Sequence, residues 1–257
     1  MIKFFRIIRK QLLSEGKTSK YLKYAIGEIV LVVIGILLAL QINNWNENRK
    51  KQKLKDVYIN ALVHDLKQDT LDLGLSIRRM KSDLKVLKQF NLRISKKNAT
   101  IDTLKHIARF EYSPYFYPDN SVNNNTYTTL TSTGNMDLLD PWLSDALLVL
   151  NNNQEQSIKI IDVNINLHLS ALANYIQKYN PIKGKPFLMG TDLFESYGPL
   201  DDYIWDNAND IDLISEFTGI LTSKGSMEQI IIWRRENLLK ETSKLLDTIN
   251  AVYKTKE

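Results

Sequence analysis

The sequence predicts an all-α protein in which one apolar helix near the N-terminus precedes several long amphipathic helices. Residues 29–40 carry no polar side chain. Further along, apolar residues recur at seven-residue intervals in two places, at Ile59, Leu66, Leu73, Met80, Leu87 and Ile94, and at Ile231, Leu238, Leu245 and Val252. No segment of convincing length alternates apolar and polar residues as a half-buried strand does. We therefore expect an N-terminal amphipathic helix, one transmembrane helix, and long coiled-coil-like helices that form a periplasmic helical bundle.

Composition narrows the functional classes. The 257 residues include no cysteine, which excludes disulfides, thiolate zinc sites, thiol catalysis and lipoprotein anchoring. Residues 1–55 hold 12 Lys/Arg and 3 Asp/Glu, a charge of +9, whereas residues 56–257 hold 22 and 26, a charge of −4. Because the positive charge flanks the apolar run, we expect membrane lipids as partners and no nucleic acid.

The first 23 residues have the pattern of a short basic amphipathic helix. Phe4, Ile8 and Leu12 share one helical face, the basic residues lie elsewhere, and Gly16 is a plausible stop. Such a helix before a membrane span is expected to lie in the cytoplasmic interface. The alternative is an ordinary solvated helix end.

The segment at residues 24–44 has the length and the flanks of a transmembrane helix. With Glu28 tolerated, the run covers about 19 residues, roughly 28 Å of helix. Tyr21 and Tyr24 lie at one end and Trp45 at the other, as in aromatic belts. Lysines flank the run on both sides. A buried helix of a soluble protein would not need these flanks, and a cleaved signal peptide would need a small-residue cleavage site after the run. We expect an uncleaved anchor.

The orientation and the helix contacts of this anchor also have signals. Seven Lys/Arg precede the run and five follow it closely, which favours a cytoplasmic N-terminus in a bacterial inner membrane. Glu28, Gly35 and Ala39 fall on one helical side, where small residues let a second helix approach. We expect them to mediate membrane helix association, with a protein partner or in a homo-oligomer. Alternatively, Glu28 reaches out of the membrane toward Lys20 and Tyr24.

After the anchor, the first heptads predict one helix from about residue 45 to 95 that continues from the span. The letters SKKNAT break it, and a short helix follows at 101–110. Residues 112–126 read as a loop, and a helical turn then ends before Gly134. Asp140 followed by Pro141 predicts the start of a helix that runs to about residue 180.

The last third of the chain reads as an irregular region at 181–207, a helix near 209–222 and a final helix at about 226–254. Residues 192–216 hold eight acids and no Lys or Arg. We predict a partner surface there, formed by Asp201, Asp202, Tyr203, Trp205 and Asp206. The alternative is a solvated loop that uses aspartates as helix caps. A Ca²⁺ site is an open possibility, although the spacing lacks the features of an EF-hand.

Motifs for catalysis are missing from the sequence. The three histidines, His64, His106 and His168, form neither an HExxH nor an ExxH pattern, although His64 and His168 lie in long helices and could face each other. No Walker, GxSxG or GxGxxG motif is present. We predict no catalytic, cofactor-binding or metal-binding residues, no cofactor, and no enzymatic activity.

Two segments carry a family resemblance: MIKFFRIIRKQLLSEGKTSKYLKYAIGEIVLVVIGILLALQINNWNENRK at residues 1–50 and TYTTLTSTGNMDLL at residues 126–139. They resemble uncharacterised single-pass inner-membrane proteins of Bacteroidetes-type bacteria. The resemblance implies an inner-membrane anchor and a helical periplasmic domain. That family has no assigned activity, so it implies no functional residues.

We therefore expect three parts: a cytoplasmic segment at 1–23, a transmembrane helix at 24–44 and a periplasmic α-helical domain at 45–257. The expected function is that of a membrane-anchored interaction or scaffold protein. The alternative is a ligand-sensing helical bundle. Since only 23 residues precede the span, that bundle would have to signal through a partner protein.

Overall fold

A computed structural model describes residue 7 and residues 18–113, 122–179 and 199–253. Within these residues all regular structure is helical and no strand occurs, which confirms the predicted all-α class. The α-helices are α1 (Thr18–Ile94), α2 (Ile101–His106), α3 (Asn125–Ser132), α4 (Pro141–Tyr179), α5 (Pro199–Asp206) and α6 (Asp210–Tyr253). A π-turn at Ile107–Glu111 follows α2, and a 3-10 turn at Asn135–Leu138 precedes α4.

The chain divides into two compact units, Met1–Val57 and Tyr58–Glu257. The described part of the first unit is the beginning of α1, in which the apolar residues are exposed. The amphipathic helix predicted for the first residues lies outside the described part, apart from the exposed Ile7.

The second unit is built on α1 from Tyr58 onward, α4 and α6. The three helices share three apolar clusters that follow one another along their length. The first joins Ile59 to Leu143 and Ile249, the second Ile77 to Ile161 and Ile231, and the third Phe90 to Leu172 and Phe217. This order shows that α1 and α4 run in the same direction and α6 in the opposite one.

The predicted heptad residues of α1 pack inside this unit. Ile59, Leu66, Met80 and Leu87 are buried among residues of the other helices, while Leu73 is half-buried. Burial of such a stripe against α4 and α6 removes it from water. The stripe from Ile59 onward therefore serves the fold of this chain and is covered by it.

Several predicted boundaries are confirmed, because local chemistry sets them. A turn at 95–100 ends α1, and the Thr100 and Thr103 side chains cap α2 reciprocally. Gly134 follows α3 with a φ of 68°, the left-handed conformation that glycine adopts most readily. Pro141 begins α4, and the first position of a helix tolerates proline, which has no backbone N–H.

Two predicted segments are wrong, and the end of a third shifts by two residues. The structure has one helix, α6, where helices at 209–222 and 226–254 were expected, because Lys224 and Met227 are buried across the expected break. That packing outweighs the cost of Gly225, about 1 kcal/mol. Within the expected irregular region, residues 199–206 form α5. The expected loop at 112–126 ends early, since Asp65 accepts a hydrogen bond from the N–H of Thr126 in α3 (2.9 Å). Residues 114–121 and 180–198 lie outside the described part.

Candidate functional site

The first unit presents an exposed apolar stretch. Large apolar side chains from Leu22 to Ile42 are exposed to solvent, among them Leu31, Leu37 and Leu38. Among the described residues, one helix is long and apolar enough to cross a membrane, and 0% of its most apolar 18-residue stretch is buried. Exposed apolar surface of this extent is uncommon on a soluble monomer and is typical of a contact with lipid or with another protein.

The residues predicted for helix association lie on this stretch. Gly35 and Ala39 are exposed, and Glu28 is half-buried. A Cβ atom built on Gly35 would meet nothing within 4 Å. The small-residue face is therefore open for a second helix. The side chains of Lys20 and Tyr24, the alternative destination of Glu28, lie outside the described part.

The predicted acidic partner surface needs one correction. Trp205 is only 2% exposed. Its ring lies 5.9 Å from the ring of Tyr179, and Arg109 stacks over it at the same centroid distance. Trp205 therefore belongs to the core, because burial of its large apolar ring stabilises the fold more than exposure to solvent would. Asp202, Tyr203 and Asp206 are exposed, and Asp201 is half-buried.

The acids of α5 and of the start of α6 face basic residues from other helices. Arg109 donates to Asp202 at 2.5 Å, and Lys105 lies 3.1 Å from Asp210. Lys178 at the end of α4 contacts both Asp212 (3.4 Å) and Glu216 (2.7 Å). These bases are distant in sequence, so the sequence pattern overstated the free negative charge. The open part of this surface includes Leu200, Tyr203, Asp206 and Ile211.

The interior of the second unit carries polar residues whose burial the sequence did not predict. All three long helices contribute to this set, which comprises Asp69, Ser76, Asn151, Gln154, Ser157, His168, Lys224, Glu228, Arg235 and Thr242. On α6 the residues Glu228, Arg235 and Thr242 recur every seven positions, as do Asp69 and Ser76 on α1. Polar residues at heptad spacing inside an apolar stripe were the available signal.

Asp69 joins three elements. Its Oδ1 accepts hydrogen bonds from the backbone N–H and the side-chain amide of Asn123, at 2.7 and 3.0 Å. Its Oδ2 accepts one from Gln154 Nε2 at 3.1 Å. Burial raises the pKa of the Asp69 carboxyl, and the two hydrogen bonds from Asn123 oppose that shift. The carboxylate thus fastens the segment before α3 and the middle of α4 to α1.

Lys224 and Glu228, one turn apart on α6, form a buried ion pair. Lys224 Nζ lies 3.9 Å from Glu228 Oε1 and donates a hydrogen bond to the carbonyl of Ser113 at 3.0 Å. The ammonium also lies 5.6 Å from the ring centre of Tyr112. Among the described residues, no donor hydrogen-bonds the Glu228 carboxylate. A buried ion pair in this state is costly to keep charged.

The pKa values of this pair reflect that cost. Burial raises the pKa of Glu228 to about 7; Lys224 opposes this shift and Asp83 adds to it. Burial likewise lowers the pKa of Lys224, against the attraction of Glu228 and Asp83. The carboxyl of Glu228 can therefore take up a proton in the neutral pH range.

The histidines do not form a pair. His168 is fully buried, with Nδ1 3.2 Å from the hydroxyl of Ser223, whereas His64 is exposed on α1. His64 and His168 therefore do not face each other, since one is a surface imidazole and the other is packed in the interior. In the described part of the chain, no group of three or more His, Cys, Asp or Glu is placed to hold a metal ion.

A polar cleft lies between α1 and α6. It has a volume of about 230 Å³ and an apolar floor that includes Leu87 and Leu221. Its rim carries Lys88, Asn91, Ser226 and Gln229. The cleft offers mainly uncharged hydrogen-bonding groups and one ammonium group.

The chain matches a family of unknown function, DUF6090, over residues 28–175, which is more than half of its length. The match begins in the apolar stretch and includes the segment at 126–139. It confirms an uncharacterised family, and it covers only residues 28–50 of the first segment that carried the resemblance. No curated protein and no solved structure matches the chain. The chain therefore belongs to the DUF6090 family of unknown function.

Proposed function

We propose that residues 24–44 anchor this protein in a bacterial inner membrane by a single span, with the N-terminus in the cytoplasm and the helical domain in the periplasm. The observation that carries the proposal is the contrast between the two units. The first exposes an unbroken apolar surface, whereas the second buries its apolar stripes. An exposed helix of this length and composition suits the hydrocarbon core of a bilayer.

The anchored domain acts as an interaction or scaffold module. Its three long helices pack together through buried apolar stripes. On this scaffold α5 presents exposed apolar and acidic side chains next to the buried Trp205. An exposed tyrosine such as Tyr203 is typical of surfaces that contact another protein. A protein partner or a second copy of the chain is the proposed target.

The absence of cysteine makes the topology directly testable. Single cysteines are introduced at Ser19 and at Ser132, both exposed and on opposite sides of the span. Intact cells with a permeabilised outer membrane are treated with a membrane-impermeant maleimide. We expect labelling of Ser132→Cys, and labelling of Ser19→Cys only after lysis. Equal labelling of both before lysis, or release of the protein by alkaline carbonate, would reject the proposed anchor.

The scaffold role is tested by photo-cross-linking in native membranes. A photoreactive amino acid replaces Tyr203, and a second variant carries it at the exposed Val86 of α1 as the control. We expect a discrete cross-linked species from position 203 and none from position 86. The same pattern of products from both positions would show that α5 is not a specific surface.

The cleft between α1 and α6 supports a second candidate, a ligand-sensing bundle that signals through a partner. Asn91 and Gln229 provide amide groups at its rim. A small polar ligand that binds there would stabilise the folded protein even when no protein partner is present. Thermal unfolding of the purified protein against a panel of amino acids and simple sugars separates the two candidates. A saturable stabilisation that Gly225→Leu abolishes would favour sensing.

A further inference from the structure

Segment Ile107–Ser113 packs in the core cluster that contains Phe217 and Leu221 of α6, with Ile107, Ala108 and Tyr112 fully buried. The π-turn at Ile107–Glu111 ends with the N–H of Tyr112 donating to the carbonyl of Ile107 at 2.8 Å. The ring of Tyr112 packs edge-on against Phe217 at 5.4 Å and against Phe90 at 6.5 Å. The ammonium of Lys224 in α6 donates a hydrogen bond to the carbonyl of Ser113 at the end of the segment.

We infer that Lys224 and Glu228 form a proton-responsive latch that holds segment Ile107–Ser113 on α6. The two side chains are nearly inaccessible to solvent, at 6% and 0% exposure, and Lys224 donates to the end of the segment from α6. Arg93 of α1 and Asp202 of α5 pair with Glu111 and Arg109 of the same segment. Glu228 acts on the segment through Lys224, whose position in the interior depends on a neighbouring negative charge.

The charged and titratable groups around the latch come from every helix that packs there. Asp83 of α1 interacts electrostatically with both members of the pair. Tyr112 of the turn interacts with Glu228, and Tyr175 of α4 interacts with Tyr112. His168 of α4 is fully buried and adjoins Ser223, the residue before Lys224. Burial raises the pKa of both tyrosines, so they stay neutral through the physiological range.

Protonation of Glu228 changes the balance at Lys224. With the carboxylate charged, the pair is neutral overall, and Lys224 remains inside and donates to Ser113. When Glu228 takes up a proton, the negative charge paired with Lys224 disappears, and a buried ammonium becomes more costly. Lys224 then turns toward solvent and toward Asp83, and the carbonyl of Ser113 loses its donor. The segment is latched above neutral pH and released below it.

The free energy of unfolding also depends on the protonation of Glu228. The pKa of Glu228 in the folded chain is about 7, above the ordinary value of 4.5 for an unfolded chain. The folded state therefore binds this proton more tightly, so the contribution of Glu228 to stability is fully present below pH 4.5 and is lost as pH rises through 7. The charged latch is thus a strained state that acidification relieves.

Hydrogen exchange of the full-length protein in detergent micelles tests the latch. Backbone exchange of residues 107–113 is measured by mass spectrometry at pH 6 and pH 8 and corrected for the intrinsic pH dependence. We expect about tenfold greater protection at pH 8, the effect of one pKa unit. Glu228→Gln, which mimics the protonated acid, should give the low protection at both pH values. Glu236→Gln is the matched control, because this exposed acid of α6 pairs with Lys81 at the surface.

Equal protection at both pH values in the unmodified protein would overturn the latch. The same conclusion follows if Glu228→Gln retains the full pH dependence. Should Glu228→Gln fail to fold, isotope-labelled protein allows a direct measurement. The side-chain carboxyl signal of Glu228 and the amide signals of Tyr112 and Ser113 are then followed by NMR from pH 5 to 9. They should titrate together near pH 7, and an amide signal that does not follow the carboxyl signal would reject the coupling.

Discussion

Gln154 of α4 donates a hydrogen bond from Nε2 to Asp69 Oδ2 of α1, 3.1 Å away, between two buried side chains. The other oxygen of Asp69 holds Asn123 by both its backbone and its side chain. Two residues that are 85 positions apart in sequence thus share one carboxylate with the segment before α3. A buried acid of this kind fixes the alignment of α1 and α4, since an axial shift would leave its partners unsatisfied.

Replacement of Asp69 by alanine should destabilise the helical domain by about 2–3 kcal/mol, because it leaves the amides of Asn123 and Gln154 without their charged acceptor. The measurement is urea unfolding of the detergent-solubilised protein, followed by circular dichroism. Asp72→Ala is the control: Asp72 accepts mainly from Gln68 in its own helix, so a loss below about 0.5 kcal/mol is expected. Similar losses for the two variants would show that Asp69 makes no special contribution.

Two glycines should respond to alanine with opposite signs. Gly134 has a φ of 68°, so Gly134→Ala should destabilise the domain by about 1 kcal/mol. Gly225 lies inside α6, and a Cβ there would meet nothing within 4 Å. Gly225→Ala should therefore stabilise the domain by about 0.5–1 kcal/mol. Thermal melting of both variants decides the matter, and a stabilising Gly134→Ala would contradict the left-handed turn before α4.

The two aromatic residues of α5 should separate stability from recognition. Trp205→Ala removes a core ring and should cost about 3–5 kcal/mol. Tyr203→Ala changes an exposed ring and should shift stability by no more than about 0.5 kcal/mol. If α5 is the partner surface, Tyr203→Ala should nevertheless lose the cross-linked species in membranes. A Tyr203→Ala variant that melts early would mean that this ring supports the fold.

The open face of the apolar helix should tolerate less bulk than its opposite side. Gly35→Ile fills the small-residue face and should reduce self-association or partner recovery in membranes, while insertion stays unchanged. Leu37→Phe adds bulk on nearly the opposite side of the helix and should leave association intact. The readout is chemical cross-linking followed by electrophoresis. Unchanged cross-linking in Gly35→Ile would exclude the face formed by Glu28, Gly35 and Ala39.

Helix existence and most helix ends could be read from the sequence because their causes are local. The apolar run, the heptads beginning at Ile59, and the Asp140–Pro141 pair each act through residues within a few turns. Gly134 was recognised as a helix stop for the same reason. The break expected near Gly225 shows the limit of local reasoning. Lys224 and Met227 of α6 are buried against other helices, and this packing keeps α6 continuous at Gly225.

The candidate sites depended on pairings that no local pattern encodes. Sequence alone indicated that residues 199–216 are acidic and aromatic. It did not reveal that Arg109 neutralises Asp202 or that Trp205 faces inward. The same holds for Asp69 with Gln154 and for Lys224 with Ser113, because each polar group faces its partner only after the helices have packed.

By itself, then, the sequence determined a helical chain with an exposed apolar stretch and amphipathic helices whose apolar stripes had to be covered. Only the tertiary structure decided that α4 and α6 of the same chain cover the α1 stripe from Ile59 onward. It also decided which polar side chains enter the interior. The physical reason is that periodicity specifies which face of a helix avoids water, whereas the choice of the covering surface depends on how all helices pack together.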